Sequence, residues 1–209
     1  MYQALRKLAK SILNDLCFLL LIPSHLRPKK PINHEKISKI LLINLQGIGN
    51  VVMTTAFIRH IKKHYTNAKV DYCCYKNNGV LLEDNENISN VIKRTKDDIF
   101  SADFITTLQH IRNNNYDMII NLYHAQHSAL LTILSNAEYK MGNLYSTACT
   151  TNNLAVQHSP KTWDVRLNAK HIADQLGIMD YDETELEIAL QKKEKKEVEE
   201  IFKTLGIKK

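Results

Sequence analysis

Several things are scarce in this 209-residue sequence. No apolar run is long enough to cross a bilayer: the longest, residues 16–22, has seven residues, against about 20 for a spanning helix. Cysteine occurs four times, as Cys17, Cys73, Cys74 and Cys149, with no CxxC pair and no Cys/His metal spacing. That pattern argues against a disulfide framework and a structural zinc site, and for buried thiols in a reducing compartment. Six glycines and four prolines, with 44% hydrophobic and 24% charged residues, exclude collagen-like and disordered classes. No basic–aromatic interleaving of an RNA-binding sheet is present, so nucleic acid is not an expected partner.

Positive charge is what the chain has in excess, a formal +6. It is concentrated in residues 1–40, where Arg6, Lys7, Lys10, Arg27, Lys29, Lys30, Lys36 and Lys39 face only Asp15 and Glu35. Tyr2, Leu5, Leu8, Ile12, Leu16 and Leu19 recur at helical spacing, with the basic residues on the other side. The pattern predicts an amphipathic helix over residues 2–22. A cleaved signal is disfavoured, because Asp15 interrupts the run and no small-residue cleavage site follows. Packing on the protein's own core is one role for such a helix. The preferred reading is an interfacial anchor on an anionic membrane surface through residues 1–30. Pro23, Pro28 and Pro31 then form a stiff linker, so residues 1–36 are read as helix plus linker and residues 37–209 as the folded domain.

From Ile37 on, short apolar runs alternate with helical patterns. Strands are predicted over residues 39–44, 69–74, 90–93, 116–122, 139–142 and 185–190. Helices are predicted over 51–64, 79–84, 103–113, 127–134, 164–176 and 192–205, with Gly177 ending the sixth strand's preceding helix. Non-alternating strands such as Ile40-Leu41-Leu42-Ile43 are those of a sheet covered on both faces. The fold class is α/β: a Rossmann-like open parallel sheet with helices on both faces.

Ligands of such sheets bind at the carboxyl ends of the strands. The first such loop is Asn44-Leu45-Gln46-Gly47-Ile48-Gly49-Asn50, where two glycines permit close backbone approach to a phosphate or sugar-phosphate. A dinucleotide fingerprint is incomplete, because its third glycine position holds Val52. A glycine-bearing turn without a ligand is the plain alternative. Asn121, His124 and His127 mark a second polar loop. With no acidic third ligand nearby, no metal is expected there. His158, Lys161, Trp163, Arg166, Lys170 and His171 form a basic group suited to an anion or to a solvated helix face.

The run from Ile40 through Asn44-Leu45-Gln46-Gly47-Ile48-Gly49-Asn50-Val51-Val52-Met53-Thr54-Thr55 resembles the opening of family 9 glycosyltransferases, the heptosyltransferase-like enzymes. Tyr116-Asp117-Met118-Ile119-Ile120-Asn121-Leu122 resembles a second block, and the likeness extends over about residues 38–207. It implies the N-terminal, acceptor-side half of a GT-B fold, inverting transfer and no metal. The implied acceptor is a lipid-linked saccharide such as Kdo-lipid A, bound around Asn44, Gln46, Gly47, Ile48, Gly49, Asn121 and His124. The donor, such as ADP-heptose, belongs to a second domain, so no cofactor is expected of this chain. The implied location is the cytoplasmic face of the inner membrane. Asn50 stands where the family's catalytic Asp is expected, and Asn44 and Asn121 replace a usual Arg or Lys and a usual Asp. A carboxamide cannot act as the general base. The expectation is therefore a truncated or diverged family 9 glycosyltransferase, inactive alone. The alternatives are a non-catalytic glycan-binding or scaffold subunit pairing with a separate C-terminal half, and a nucleotide-binding module without transfer chemistry.

Overall fold

The computed structural model describes residues 31–95, 99, 101–123, 125–143, 154–156, 164–188 and 192–206. The amphipathic helix expected over residues 2–22 lies outside them, as do His124, His158, Lys161, Trp163, Cys17 and Cys149.

Six strands form one sheet: β1 (Lys39–Ile43), β2 (Lys69–Tyr75), β3 (Asn90–Arg94), β4 (Met118–Asn121), β5 (Tyr139–Asn143) and β6 (Leu154–Val156). Their order is β3-β2-β1-β4-β5-β6, and every neighbouring pair is parallel. This is the doubly wound arrangement anticipated from the alternation, with β6 added; three residues are too short a run to show a period. Residues 185–188 correct another expectation, because they form no strand. Their alternation points the other way: Leu186 and Ile188 are exposed, while Glu185 and Glu187 pair with Arg59 at 3.3 and 3.0 Å. Ion pairing to a neighbouring helix, not a sheet, produced the period of two.

The helices are α1 (Ile48–Met53), α2 (Thr55–His64), α3 (Lys76–Gly79), α4 (Ala102–Asn114), α5 (Gln126–Ile133), α6 (Val165–Gln175) and α7 (Lys192–Thr204). The helix predicted over 51–64 is thus broken at Thr54. The Thr54 hydroxyl donates to the Val51 carbonyl at 2.8 Å and meets Tyr72 Oη at 2.7 Å, a local alternative to the helical ladder. Val51 is buried there and Val52 only half-buried. Two ends are sharply set. Ser101 Oγ accepts from Phe104 N to start α4, and Gly177, at φ +74°, follows α6 while Ile178 N bonds back to Ala173.

Each face of the sheet carries its own core. Ile40, Leu42, Val70, Tyr72, Met118 and Ile120 pack under Phe57, Ile58 and Ile61 of α2 and Ala169 and Ile172 of α6. Leu41, Ile43, Cys73, Ile92 and Ile119 pack under Phe104 and Ile111 of α4 and Leu131 of α5. Successive residues of β1 and β2 feed opposite cores, as the period of two requires. Burying each such side chain contributes about 1.5–3 kcal/mol. The Asp117 carboxylate ties the start of β4 to β1 by accepting from Ser38 N and Lys39 N at 2.8 and 2.9 Å. On α7, by contrast, Val198 and Ile201 are exposed, as is Leu205 just past its end. No helix among the described residues is long and apolar enough to cross a membrane.

Cys73 and Cys74 are fully buried, and burial pushes both thiols up to about 12. Thiolate, not thiol, reacts with electrophiles. In native buffer, iodoacetamide should therefore leave the peptide carrying Cys73 and Cys74 unlabelled. Denaturant should expose it to labelling, as read by mass spectrometry; rapid native labelling would contradict this packing.

Candidate functional site

In the order β3-β2-β1-β4-β5-β6 the winding reverses between β1 and β4, and a crevice opens outside their carboxyl ends. The turn after β1 and residues after β4 meet there. Asn44 N bonds to Cys73 O and Leu122 N to Ile43 O, both at 2.9 Å, so sheet pairing continues into the turn. Gln46 then spans the reversal, its Nε2 donating to Leu122 O at 3.0 Å. From the other side, Asn78 Nδ2 donates to Gln46 O at 2.8 Å. Gln46 is held by β4's extension and by α3 at once.

The sequence-derived residues divide into two sets. Asn44 and Asn121 are fully buried supports. Asn44 Nδ2 donates to Asn50 O at 3.3 Å and Thr54 Oγ1 at 3.4 Å, while its Oδ1 has no partner. Asn121 donates to Ser128 Oγ at 3.2 Å and accepts from Tyr123 N at 3.0 Å. Gly47, Ile48 and Gly49 are exposed, and Asn50 is half-buried. Asn50 Nδ2 donates to Gln46 Oε1, so the carboxamide faces its own turn. A carboxylate at that position would face the same Gln46 oxygen and would need another donor. The two glycines are not demanded by the fold: Gly47 has φ −66°, and a Cβ at Gly47 or Gly49 would meet nothing within 4 Å.

Beside the turn lies a cavity of about 540 Å³ lined by Gln46, Gly47, Tyr75, Lys76, Arg94 and Thr95, among others. Of the described residues singled out from sequence as binding the ligand, only Gln46 and Gly47 line it. Lys76 and Arg94 were missed, although each stands at the carboxyl end of a predicted strand; the strand ending at Lys93 was drawn one residue short. Arg94 is fully buried. Its Nε donates to Asp103 Oδ2 at 3.1 Å, and Phe104 lies 5.6 Å from its Cζ. Neither Nη1 nor Nη2 has an acceptor, an omission that costs about 1–3 kcal/mol per buried group, and more for a charged one. Burial opposes ionisation of Asp103. Hydrogen bonds from Thr95 N and Oγ1, with the Arg94 charge, outweigh it and hold the carboxyl below its ordinary value.

The second polar loop keeps His127 buried, 3.5 Å from Tyr75 Oη and stacked at a tilt near Tyr123. No group of three His, Cys, Asp or Glu that could hold a metal occurs among the described residues. In the expected basic group, Arg166 pairs with Asp164 at 3.0 Å and Lys170 with Asp174 at 3.6 Å, which makes a solvated helix face of the described part. The cavity offers amides, hydroxyls and two cations and, among the described residues, no lining carboxylate. It can bind a polar or anionic ligand.

The fold and this edge define a Rossmann-like domain with a polar crevice at its switch point. The model of "Glycosyltransferase family 9 (heptosyltransferase)" matches residues 105–208. Lipopolysaccharide heptosyltransferase 3 of Escherichia coli is 32% identical over 101 residues, covering 46% of this chain and 30% of that protein. The family 9 glycosyl transferase of Veillonella parvula superposes with a TM-score of 0.65 at 19% identity, over 82% of this chain and 50% of that one. E. coli ADP-heptose LPS heptosyltransferase II gives 0.60 at 17% identity, over 78% and 50%. These matches support a family 9, heptosyltransferase-like protein. Its match spans under a third of the curated relative and half of each solved one.

Two substitutions test this geometry. Gly49 lies inside α1, where alanine is favoured over glycine by up to about 1 kcal/mol. Gly49→Ala should keep or raise the melting temperature, and a large fall would mean that the turn needs glycine for its own folding. Asp103→Asn leaves the buried Arg94 charge without a counter-ion and should cost roughly 3–5 kcal/mol at pH 7. Because the Asp103 pKa is depressed in the folded chain, its stabilisation is full above the ordinary value of 3.8 and is lost as pH falls below it. Urea unfolding should therefore show the gap between native and variant narrowing from pH 7 to pH 3. A gap that is constant with pH would contradict the ion pair.

Proposed function

We propose that this chain supplies the acceptor-side domain of a heptosyltransferase-like glycosyltransferase of lipopolysaccharide core or related glycan synthesis. The observation that carries the reading is the Gln46–Asn50 turn, placed by β1 at the switch point and opening on a polar cavity. The likeness to lipopolysaccharide heptosyltransferase 3 supplies the substrate class. The acceptor is a lipid-linked saccharide of the Kdo-lipid A kind, and the donor a nucleotide-sugar such as ADP-heptose. The donor is held by a second domain, on the same polypeptide or another. The basic residues among 1–30 bring the domain to the inner face of the cytoplasmic membrane.

In this reading Asn50 makes the domain a weak catalyst. Transfer to an acceptor hydroxyl needs a group that takes its proton as the glycosidic bond forms, and a carboxamide has no basic site for it. Asn50 instead holds Gln46. A second reading, a non-catalytic subunit that presents the acceptor to a separate donor-binding partner, draws on the same substitution and on the exposed apolar stripe of α7.

Asn50→Asp, in the chain joined to the donor domain of a family 9 relative, should raise heptose transfer from ADP-heptose by about 10²–10⁴-fold, the range of a general base. An unchanged rate, with the native chain already active, would place the base elsewhere and defeat the lost-base reading. Activity of the native chain appearing only on mixing with a separate donor domain would favour the subunit reading.

A further inference from the structure

The wall of the cavity facing the turn holds a cation whose hydrogen-bonding capacity is only partly used. Arg94, the last residue of β3, is fully buried, and only its Nε is engaged. The carboxylate that engages it is already occupied: Asp103 Oδ1 accepts from Thr95 N at 3.1 Å and Thr95 Oγ1 at 2.9 Å. Phe104 lies beside the guanidinium and helps fix its plane. The Nη1 and Nη2 pair is left as a fork without acceptors, a geometry that matches two oxygens of one carboxylate or phosphate.

The remaining lining residues suit the same guest. Lys76 is exposed at the cavity and has no partner among the described residues. Asp103 balances the charge of Arg94, so Lys76 supplies the net positive charge that an oxyanion needs. Among the described residues, no Asp or Glu lines the cavity to repel it. Gly47, with open space where its Cβ would stand, leaves room on the turn side.

We propose that this cavity is an oxyanion-binding site in which the Arg94 fork takes two oxygens of a phosphoryl or carboxylate group and Lys76 completes the charge. The fork is shielded from solvent, so engagement includes a side-chain adjustment of Arg94 toward the cavity. In biological terms the site reads an anionic substituent on the ligand of the acceptor edge, and to that extent it rests on the proposed function. Its binding chemistry requires neither a donor domain nor transfer, so a failed transfer assay would leave it standing.

The test is calorimetric titration of the full chain with inorganic phosphate and, separately, with glucuronate as a sugar carboxylate, at ionic strength matched with sodium chloride. Saturable binding of at least one is expected. Phosphate saturating assigns the phosphoryl source, and glucuronate alone saturating assigns the carboxylate. Arg94→Gln and Lys76→Met should each weaken that binding by about tenfold or more, the loss of a charge-assisted contact. Lys76 is exposed, so its variant stays informative if Arg94→Gln does not fold. No saturable binding of either anion, or binding unchanged in every variant that folds, would overturn the assignment.

Discussion

The double pairing of β1 is the constraint on which the carboxyl edge depends. β1 lies between β2 and β4, parallel to both, with Ile40, Leu41, Leu42 and Ile43 contributing alternately to the two cores. A one-residue slip would send each of these side chains to the wrong face. The register is therefore fixed by burial. With it are fixed the exit of the chain at Asn44 and the place where Gln46 reaches Leu122. The turn is positioned by some of the least deformable residues in the domain, although Gly47, Ile48 and Gly49 in it are exposed.

A second constraint shapes the opposite wall. A buried guanidinium is costly unless its charge and donors are met, and Arg94 has its charge met by Asp103 but its donors only in part. The Thr95 bonds hold the Asp103 carboxylate ionised, so the pair stays charged at neutral pH. Folding thus secures Arg94 in place without saturating it. Asn44 is a milder case, with its amide nitrogen engaged and its oxygen unpartnered. Both residues stand at carboxyl ends of strands.

Most of the fold was legible in the sequence because burial on both faces leaves an unambiguous record. Runs such as Ile40 to Ile43 and Met118 to Ile120 have no polar interruption, and Gly177 marks a helix end by a backbone angle that other residues resist. What misled was alternation without burial. Glu185 to Ile188 has a strand's period, yet it comes from two glutamates reaching Arg59 on α2. The break at Thr54 was hidden because it depends on Tyr72, eighteen positions away in sequence. The site was legible only in part for a similar reason. The glycines announced the turn, but Lys76 and Arg94 are ordinary basic residues until the sheet brings their strand ends together. Asn44 and Asn121, which the family resemblance places around the acceptor, are buried and hydrogen-bonded within the turn and the loop after β4.

Asn50 links these observations. In a family whose resemblance implies a carboxylate at this position, a carboxamide changes the local electrostatics as well as the proton chemistry. An aspartate beside the Gln46 oxygen would add negative charge to the edge of a cavity that carries Lys76 and Arg94 and, among the described residues, no lining acid. With Asn50 that charge is not added, and the side chain bonds to Gln46. An amide at this position thereby favours holding an anion. The geometry of this edge is better matched to gripping a negatively charged group than to taking a proton.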